Sequence, residues 1–78
     1  MPTLPDDDAW LLAERHAIGD RIRAARLDRD LTQERVYLAV PLSRSVYQQI
    51  ESGHGNPTIS TLLRIARVLN VHVTDLLH

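Results

Sequence analysis

The chain has no cysteine and no lysine among its 78 residues. Without cysteine it has neither a disulfide framework nor a thiolate metal site, so a fold of this size depends on closely packed helices. The absence of cysteine also fits a reducing cytoplasm. A chain of 78 residues builds one small core and leaves no room for a second domain or a walled catalytic cleft. We therefore expect a protein that is not an enzyme.

Long apolar runs are missing as well. No stretch approaches the length that crosses a bilayer, and Asp6, Asp7 and Asp8 stand where a secretion signal requires positive charge. We expect a cytoplasmic protein with no membrane association. The two prolines and three aspartates of residues 1–8 predict an acidic, flexible N-terminal tail, and residues 9–78 then form a single domain.

Positive charge is carried by arginine alone and lies within the domain. The formal net charge is −1, which argues weakly against a nucleic-acid partner because such domains usually have a basic excess. Residues 1–8 hold three of the ten acidic residues and no basic one, so the domain has nine arginines against seven acids. Arginine suits two-point contacts with phosphate or guanine. The domain is thus mildly basic, and DNA binding stays open.

Two short amphipathic segments, TQERVYLAV and SRSVYQQIES, lie close together between residues 32 and 53. Each begins with a hydroxyl residue suited to capping a helix, Thr32 in the first and Ser43 in the second. Pro41 must end the first helix because it has no amide hydrogen, and Gly53 suits a left-handed turn at the end of the second. This spacing predicts a helix-turn-helix, in which one helix braces the fold and the next enters a major groove.

Helices are also predicted on both sides of this motif. Apolar residues recur at helical spacing over residues 9–28, with Asp8 as the N-cap. Thr58 begins a fourth helix, and Asn70 ends it in the left-handed backbone conformation that glycine often adopts at this position. Residues 73–77 form a short fifth helix. The apolar residues expected to face inward from the fourth helix are Ile59, Leu62, Leu63, Ile65, Ala66 and Leu69. The predicted fold is an all-α bundle of five helices.

Four segments carry a family resemblance: IGDRIRAAR, LTQE, SRSVYQQIESG and NPTISTLLRIARVLNV. In this order, over about residues 18–77, they resemble the Xre family of helix-turn-helix regulators, the group that contains phage repressors and Cro proteins. The resemblance implies a compact five-helix, repressor-like DNA-binding domain. Its third helix, about residues 43–52, would read double-stranded DNA in the major groove, usually as a homodimer on a palindromic operator.

The resemblance also implies which side chains read bases. They are Arg44, Ser45, Gln48 and Gln49 on the third helix. Their chemistry agrees, because Arg44 can donate two hydrogen bonds to guanine, while Gln48 and Gln49 can pair with the edge of adenine. The alternative is that an exposed helix simply carries soluble side chains.

Phosphate contacts are predicted at the starts of the second and third helices and in the loop after the third. The residues are Thr32, Gln33, Ser43, His54 and Asn56. Gln33 lies beside the amides of a helix start, which form a ready anion site. Relatives often have several lysines or arginines in the loop, whereas this chain offers only His54 and backbone amides. Phosphate affinity is therefore expected to be modest, and protonation of His54 would increase it.

Arg26 and Glu51 match the positions of a partly buried ion pair in phage-repressor relatives. The resemblance implies that this pair fixes how the third helix sits on the scaffold. Alternatively both side chains are solvated, in which case the pair contributes about 0 to 1 kcal/mol.

Apolar residues near the C-terminus predict a dimer interface in the region through which the family commonly dimerises. They are Val71, Val73, Leu76 and Leu77. Some of them must also close the core of the monomer. Trp10 and Leu12 would add to the interface if the first helix extends as predicted. A self-complementary patch suits operator half-sites roughly 34 Å apart.

Three residues depart from the family pattern. Tyr37 stands where relatives have a small alanine, Pro41 replaces the glycine of the turn, and Tyr47 replaces a buried aliphatic residue. Either Tyr37 or Pro41 could change the angle between the second and third helices. Aromatic filling of the core is the favoured interpretation of Tyr37 and Tyr47, ahead of a ligand pocket.

The histidines and hydroxyl residues predict no catalytic or metal chemistry. The four histidines are His16, His54, His72 and His78. They show no ligand-like spacing, and no nucleophile turn or oxyanion motif accompanies Ser43 or Ser45. We expect no metal, no cofactor and no small-molecule ligand.

Two functions remain open from the sequence. The first is a sequence-specific DNA-binding transcriptional regulator, favoured by the base-edge chemistry of the third helix. The second is a protein-interaction module on the same fold, a partner-binding antagonist or adaptor with little DNA binding. The near-neutral net charge, the sparse loop and the changes at Tyr37 and Pro41 keep the second alternative open.

Overall fold

The computed structural model describes residues 7–78 and shows five helices connected by short loops. The helices are α1 (Asp7–Asp28), α2 (Gln33–Ala39), α3 (Arg44–Ser52), α4 (Ile59–Leu69) and α5 (Val73–Leu77). No strand occurs in this part of the chain, so the prediction of an all-α, five-helix domain is confirmed. Within the same residues, no helix is both long enough and apolar enough to cross a membrane.

The start of α1 differs from the prediction. Asp7 is already helical, so Asp8 lies inside the helix and the prediction of Asp8 as its N-cap is wrong. An acidic residue inside the first turns still favours the helix, because it lies near the positive end of the helix dipole. Residues 7 and 8 of the predicted tail, residues 1–8, are thus helical, and the first six lie outside the described residues.

The starts of the three middle helices are fixed by side-chain caps. The Thr32 hydroxyl accepts the N–H of Arg35 at 3.1 Å, and the Ser43 hydroxyl accepts the N–H of Val46 at 3.2 Å. Thr58 caps α4 in the same way. Each cap satisfies one amide that the helix itself leaves free, which confirms the predicted starts of α2, α3 and α4.

The ends of these helices follow the sequence equally closely. Gly53 adopts a left-handed φ of 86° after α3, and Asn70 adopts a φ of 56° after α4. The helix α2 ends at Ala39, with Val40 as its C-cap and Pro41 next. Val40 still has helical geometry and donates its N–H to the carbonyl of Val36. The helix therefore stops because Pro41 has no N–H with which to continue it.

The core draws side chains from all five helices. The buried apolar residues are Ile22, Val36, Val40, Tyr47, Ile50, Leu62, Ile65, Ala66, Leu69 and Leu76. The helix α3 packs on α1 and α2, while α1 also packs on α4 and α5. One side of α3 is thus held by the body of the domain, and its other side faces solvent.

The prediction for α4 is wrong at two positions. Ile59 is 66% exposed and Leu63 is 50% exposed, although both were expected to face inward. Successive residues turn by about 100° around a helix, so Ile59 and Leu63 lie together beside the buried stripe of Leu62, Ile65 and Leu69. Residue type alone does not distinguish an apolar residue beside the core-facing stripe from one within it.

Candidate nucleic-acid interface

The four predicted base-reading residues lie together on the solvent side of α3. Arg44, Ser45, Gln48 and Gln49 are all exposed. Together with Ser52 and His54 they line one open groove. The opposite side of α3 carries buried Tyr47, Ile50 and Glu51. The helix therefore anchors one face in the domain and presents a polar face rich in hydrogen-bonding groups.

The predicted phosphate-binding residues fall at the two ends of this polar face. Thr32 and Gln33 line a second groove that also includes Arg44 and Gln48, between α2 and α3. Asn56 lines a separate groove with Gln49, beyond the other end of α3. The structure therefore does not bring Asn56 close to the start of α2. Thr32 and Ser43 use their hydroxyl oxygens as helix caps and keep their hydroxyl hydrogens as donors.

Arg26 and Glu51 form a buried, two-point ion pair between α1 and α3. Arg26 Nη2 donates to Glu51 Oε1 at 2.8 Å, and Arg26 Nε donates to Glu51 Oε2 at 3.1 Å. The side chains are only 10% and 4% exposed. Arg26 Nη1 also donates to the carbonyl of Leu31 at 2.9 Å, which ties the turn after α1 to the same site.

The environment keeps both members of this pair charged. Burial by itself would raise the pKa of Glu51, but hydrogen bonding by Arg26, supported by Gln33, holds that pKa below its usual value. The hydrogen bond to Glu51 raises the pKa of Arg26 further. Glu51 is therefore an ionised carboxylate at neutral pH and acts only as an acceptor.

Two glutamines extend the ion pair to the surface. Gln33 Nε2 donates to Glu51 Oε1 at 3.2 Å. Gln48 Nε2 in turn donates to Gln33 Oε1 at 3.3 Å. A continuous hydrogen-bonded chain thus runs from buried Arg26 to Gln48 on the polar face of α3. All four are predicted site residues, but the sequence does not indicate the link between the ion pair and the glutamines.

Tyr47 fills the core of the motif, as the sequence analysis favoured. It is fully buried, and its ring centroid lies 6.3 Å from that of half-buried Tyr37 with the planes inclined at 46°. Burial raises the pKa of the Tyr47 hydroxyl, so the group is neutral. Among the described residues, that hydroxyl finds no hydrogen-bond partner of good geometry.

Packing of α1 against the end of α3 brings together two histidines, His16 and His54, that are far apart in the sequence. The ring centroids of His16 and His54 are 5.4 Å apart, with the planes at 79°. The Nδ1 of His54 also lies 3.1 Å from the hydroxyl of Ser52. No group of three or more histidine, aspartate or glutamate side chains within residues 7–78 is arranged to hold a metal ion. Nothing in the sequence spacing indicates that His16 and His54 lie together.

The predicted dimer residues do not all reach the surface. Leu76 is 1% exposed and belongs to the core of the monomer, so its assignment to the dimer interface is wrong. Leu76 closes the core because it is the position of the short α5 that faces the other helices. Val71, Val73 and Leu77 are partly buried and pack against the core with part of their surface left exposed.

A helix-turn-helix family model matches residues 22–76, which reach from the middle of α1 into α5. The chain belongs to the Xre-type helix-turn-helix family. This match confirms the resemblance noted in the sequence. Proteins of this family are DNA-binding transcriptional regulators. The matched region contains α2 and α3 complete and includes both partners of the Arg26–Glu51 pair.

Individual relatives agree with this assignment. The immunity repressor of Bacillus phage phi105 is 40% identical over 57 residues, which cover 73% of this chain and 40% of that protein. Control protein C.SmaI of Serratia marcescens is 30% identical over 74 residues, covering 95% of this chain and 88% of that protein. The chain thus spans less than half of the phage repressor and most of the control protein.

A solved structure shows the same arrangement of helices. The restriction-modification controller protein C.AhdI from Aeromonas hydrophila superposes with a TM-score of 0.79 at 28% identity, covering 82% of this chain and 97% of that one. Tyr37 and Pro41 thus occur in a chain that shares its overall fold with this controller protein.

Proposed function

We propose that this protein binds a specific double-stranded DNA operator by placing α3 in the major groove. The observation that carries the proposal is the exposed polar face of α3, where Arg44, Ser45, Gln48 and Gln49 lie side by side. A single α-helix fits the width of the major groove, and each base pair presents there a distinct pattern of donors and acceptors. The proposal places this regulator in the cytoplasm.

The chemistry of the face suggests roles for Arg44, Gln48 and Gln49. Arg44 donates to guanine O6 and N7, and the two glutamine amides pair with adenine. Gln33, the amides next to Thr32, and the loop with His54 and Asn56 hold phosphates on either side. Phosphate contacts fix the position of the domain on the duplex, whereas contacts with base edges select the sequence.

Replacement of Arg44 or Gln48 by alanine is expected to relax the sequence preference at one position of each half-site. Each loss should cost about 1 to 3 kcal/mol on the preferred duplex and little on a scrambled one. His54→Ala is the matched control, because loss of a phosphate contact weakens all sequences alike. Binding would be measured on an operator selected from a random duplex pool, over a series of salt concentrations.

An unchanged ratio of specific to non-specific affinity in both Arg44→Ala and Gln48→Ala would show that α3 is not the reader. The protein-interaction module on the same fold would then be the better account. A wild-type affinity for duplex DNA that does not fall with rising salt would point the same way, because phosphate contacts release counterions.

We also propose that the protein binds a palindromic operator as a homodimer. Val71, Val73 and Leu77 leave part of their apolar surface exposed, and α4, which packs on α5, adds exposed Ile59 and Leu63. A two-fold dimer repeats one apolar patch on both subunits and places two copies of α3 about one helical turn of DNA apart.

Leu77→Glu and Leu63→Glu are expected to weaken self-association and operator binding together, since a carboxylate would be buried in the interface. Leu38→Glu is the matched control, because Leu38 is 64% exposed on α2 and lies outside the proposed patch. Sedimentation with and without operator duplex measures the effect. A wild type that stays monomeric on a duplex with two half-sites would refute the dimer.

The relatives suggest a more specific regulatory role. The matched region spans 88% of C.SmaI and 97% of C.AhdI, and the latter is described as a restriction-modification controller. We propose that this chain has a comparable role as a small controller protein. The position of the selected operator relative to neighbouring genes tests that role.

A further inference from the structure

The first two turns of α1 stand apart from the rest of the domain. Every residue from 8 to 14 is exposed, and three of them are the large apolar residues Trp10, Leu11 and Leu12. The helix-turn-helix family model begins only at Ile22, so the family fold does not account for this segment. Helices in proteins draw most of their stability from packing of an apolar face, and a partner surface is therefore expected to cover part of this one.

One side of this segment has a regular pattern. Asp8, Leu11, Leu12 and Arg15 have the spacing i, i+3, i+4 and i+7, which places their side chains along one stripe of a helix. These four residues are named the α1 stripe. Its two leucines lie in the centre, with an acid one turn before them and a base one turn after them. Trp10 lies outside the stripe, about 100° around the helix from Leu11 on the side away from Leu12.

The two charges of the α1 stripe have no partner on their own helix. Asp8 and Arg15 are seven residues apart, about 10.5 Å along the helix axis, which is too far for an ion pair. The positions three and four residues from each of them on α1 carry no charge of opposite sign. Within residues 7–78, neither of the two forms a salt bridge.

We propose that the α1 stripe is a docking surface for a second copy of this chain, with the two helices antiparallel and a two-fold axis between Leu11 and Leu12. Each Leu11 then packs on the partner's Leu12, and each Asp8 pairs with the partner's Arg15. The order acid, leucine, leucine, base is complementary to itself when it is reversed, as a two-fold interface requires. A parallel pair would instead place like charges side by side.

The antiparallel arrangement also leaves room for both domains. Residues 8–14 lie at the free end of α1, so the two domains extend from the contact in opposite directions. The α1 stripe shares no residue with the proposed C-terminal patch of Val71, Val73 and Leu77, and it is a separate surface. Four side chains from each copy bury far less than the roughly 1,200 to 2,000 Å² of a stable interface. Association through the α1 stripe is therefore weak and is expected at high protein concentration.

Charge reversal tests the pairing. In Asp8→Arg or in Arg15→Asp alone, both ion pairs of the contact become like-charge pairs, so self-association should weaken roughly tenfold at low salt. An equimolar mixture of the two variants should recover it, because the new arginine of one chain meets the new aspartate of the other. Glu14→Arg is the control, since it changes the charge equally but lies on the Trp10 side of the helix. Sedimentation equilibrium without DNA measures all four samples and the wild type.

Cysteine cross-linking tests the register. The chain has no cysteine of its own, so every disulfide reports an introduced residue. Asp8→Cys mixed with Arg15→Cys should form the mixed disulfide rapidly under mild oxidation. Each variant alone should cross-link slowly, because antiparallel pairing leaves identical positions about 10.5 Å apart along the axis, beyond the reach of a disulfide.

Three results would overturn the inference. If both charge reversals leave self-association at the wild-type level, the α1 stripe does not bind a second copy, and another protein becomes the better occupant. If the mixture stays as weak as the single variants, the loss does not come from the proposed pairs. Faster cross-linking of identical positions than of Asp8→Cys with Arg15→Cys would show a parallel contact. These measurements contain no operator duplex, so the proposed DNA binding stands or falls separately.

Discussion

Replacement of Arg26 by methionine is expected to destabilise the protein by about 3 to 5 kcal/mol at pH 7, because Glu51 would be left as a buried charge without its partner. Glu51 is only 4% exposed in its side chain, so water is a poor substitute for the lost guanidinium. The substitution also removes the donor to the carbonyl of Leu31. Denaturant unfolding measures the change in the free energy of unfolding.

The double variant separates an ion pair from two independent residues. Glu51→Leu alone should also be strongly destabilising, because it strands Arg26. The combination of Arg26→Met and Glu51→Leu should recover a large part of the loss, since a buried pair exchanged for apolar groups of similar volume is often neutral or stabilising. Additive effects in this double-mutant cycle would contradict the coupling.

The pH dependence of stability provides a further check on the Arg26–Glu51 pair. In the wild type the folded pKa of Glu51 is lowered, so its stabilising contribution is present above the ordinary glutamate value of about 4.3 and is lost as the pH falls through the lowered pKa. In Arg26→Met the main opposing hydrogen bond is gone, and burial of Glu51 favours protonation. The difference in stability between the two proteins should therefore shrink as the pH falls from 7 towards about 3.

The boundaries of α2, α3 and α4 were predictable because local chemistry fixes them. Thr32, Ser43 and Thr58 each satisfy a free amide within their own first turn. Gly53 supplies the left-handed geometry after α3 through a property of its own backbone. Signals of this kind extend over only a few residues, so a single sequence contains all the information they need.

The arrangement of the candidate interface was predictable only in part. A helical period places Arg44, Ser45, Gln48 and Gln49 on related sides of α3, and the family resemblance implies the base-reading role that we propose for them. The bond between Gln33 and Gln48 depends on the angle at which α2 meets α3, and no local pattern determines that angle. Side-chain contacts across helices are set by the whole core and are read only from the structure.

The apolar surface near the C-terminus shows the same limit. The short α5 has three apolar residues among its five, and a sequence this brief gives too few turns for a helical period to show which of them faces inward. Leu76 is predicted at the interface but fills the core, while Ile59 and Leu63 are predicted in the core but are exposed. Burial in short helices depends on which neighbours cover them.

Gly19 looks like a flaw in the sequence of α1, because glycine within a helix costs roughly 1 kcal/mol relative to alanine. The structure explains it. A Cβ atom at Gly19 would lie 2.5 Å from the carbonyl oxygen of Glu51 and 2.8 Å from that of Ile50. The glycine therefore allows α1 to meet the end of α3 at a distance that no side chain permits, and this contact seats the Arg26–Glu51 pair.

Gly19→Ala is accordingly expected to destabilise the protein by about 1 to 3 kcal/mol, the usual cost of forcing an extra carbon into close packing, even though alanine is the better helix former. The atoms that the new methyl group meets belong to the backbone of α3, so the clash is relieved only if α3 itself moves.

Ala24→Gly, on the exposed side of α1, is the control. It measures the effect of helix propensity alone and should lose about 1 kcal/mol of stability. If unfolding experiments instead show Gly19→Ala to be stabilised by a similar amount, the close approach of α1 and α3 is not a constraint.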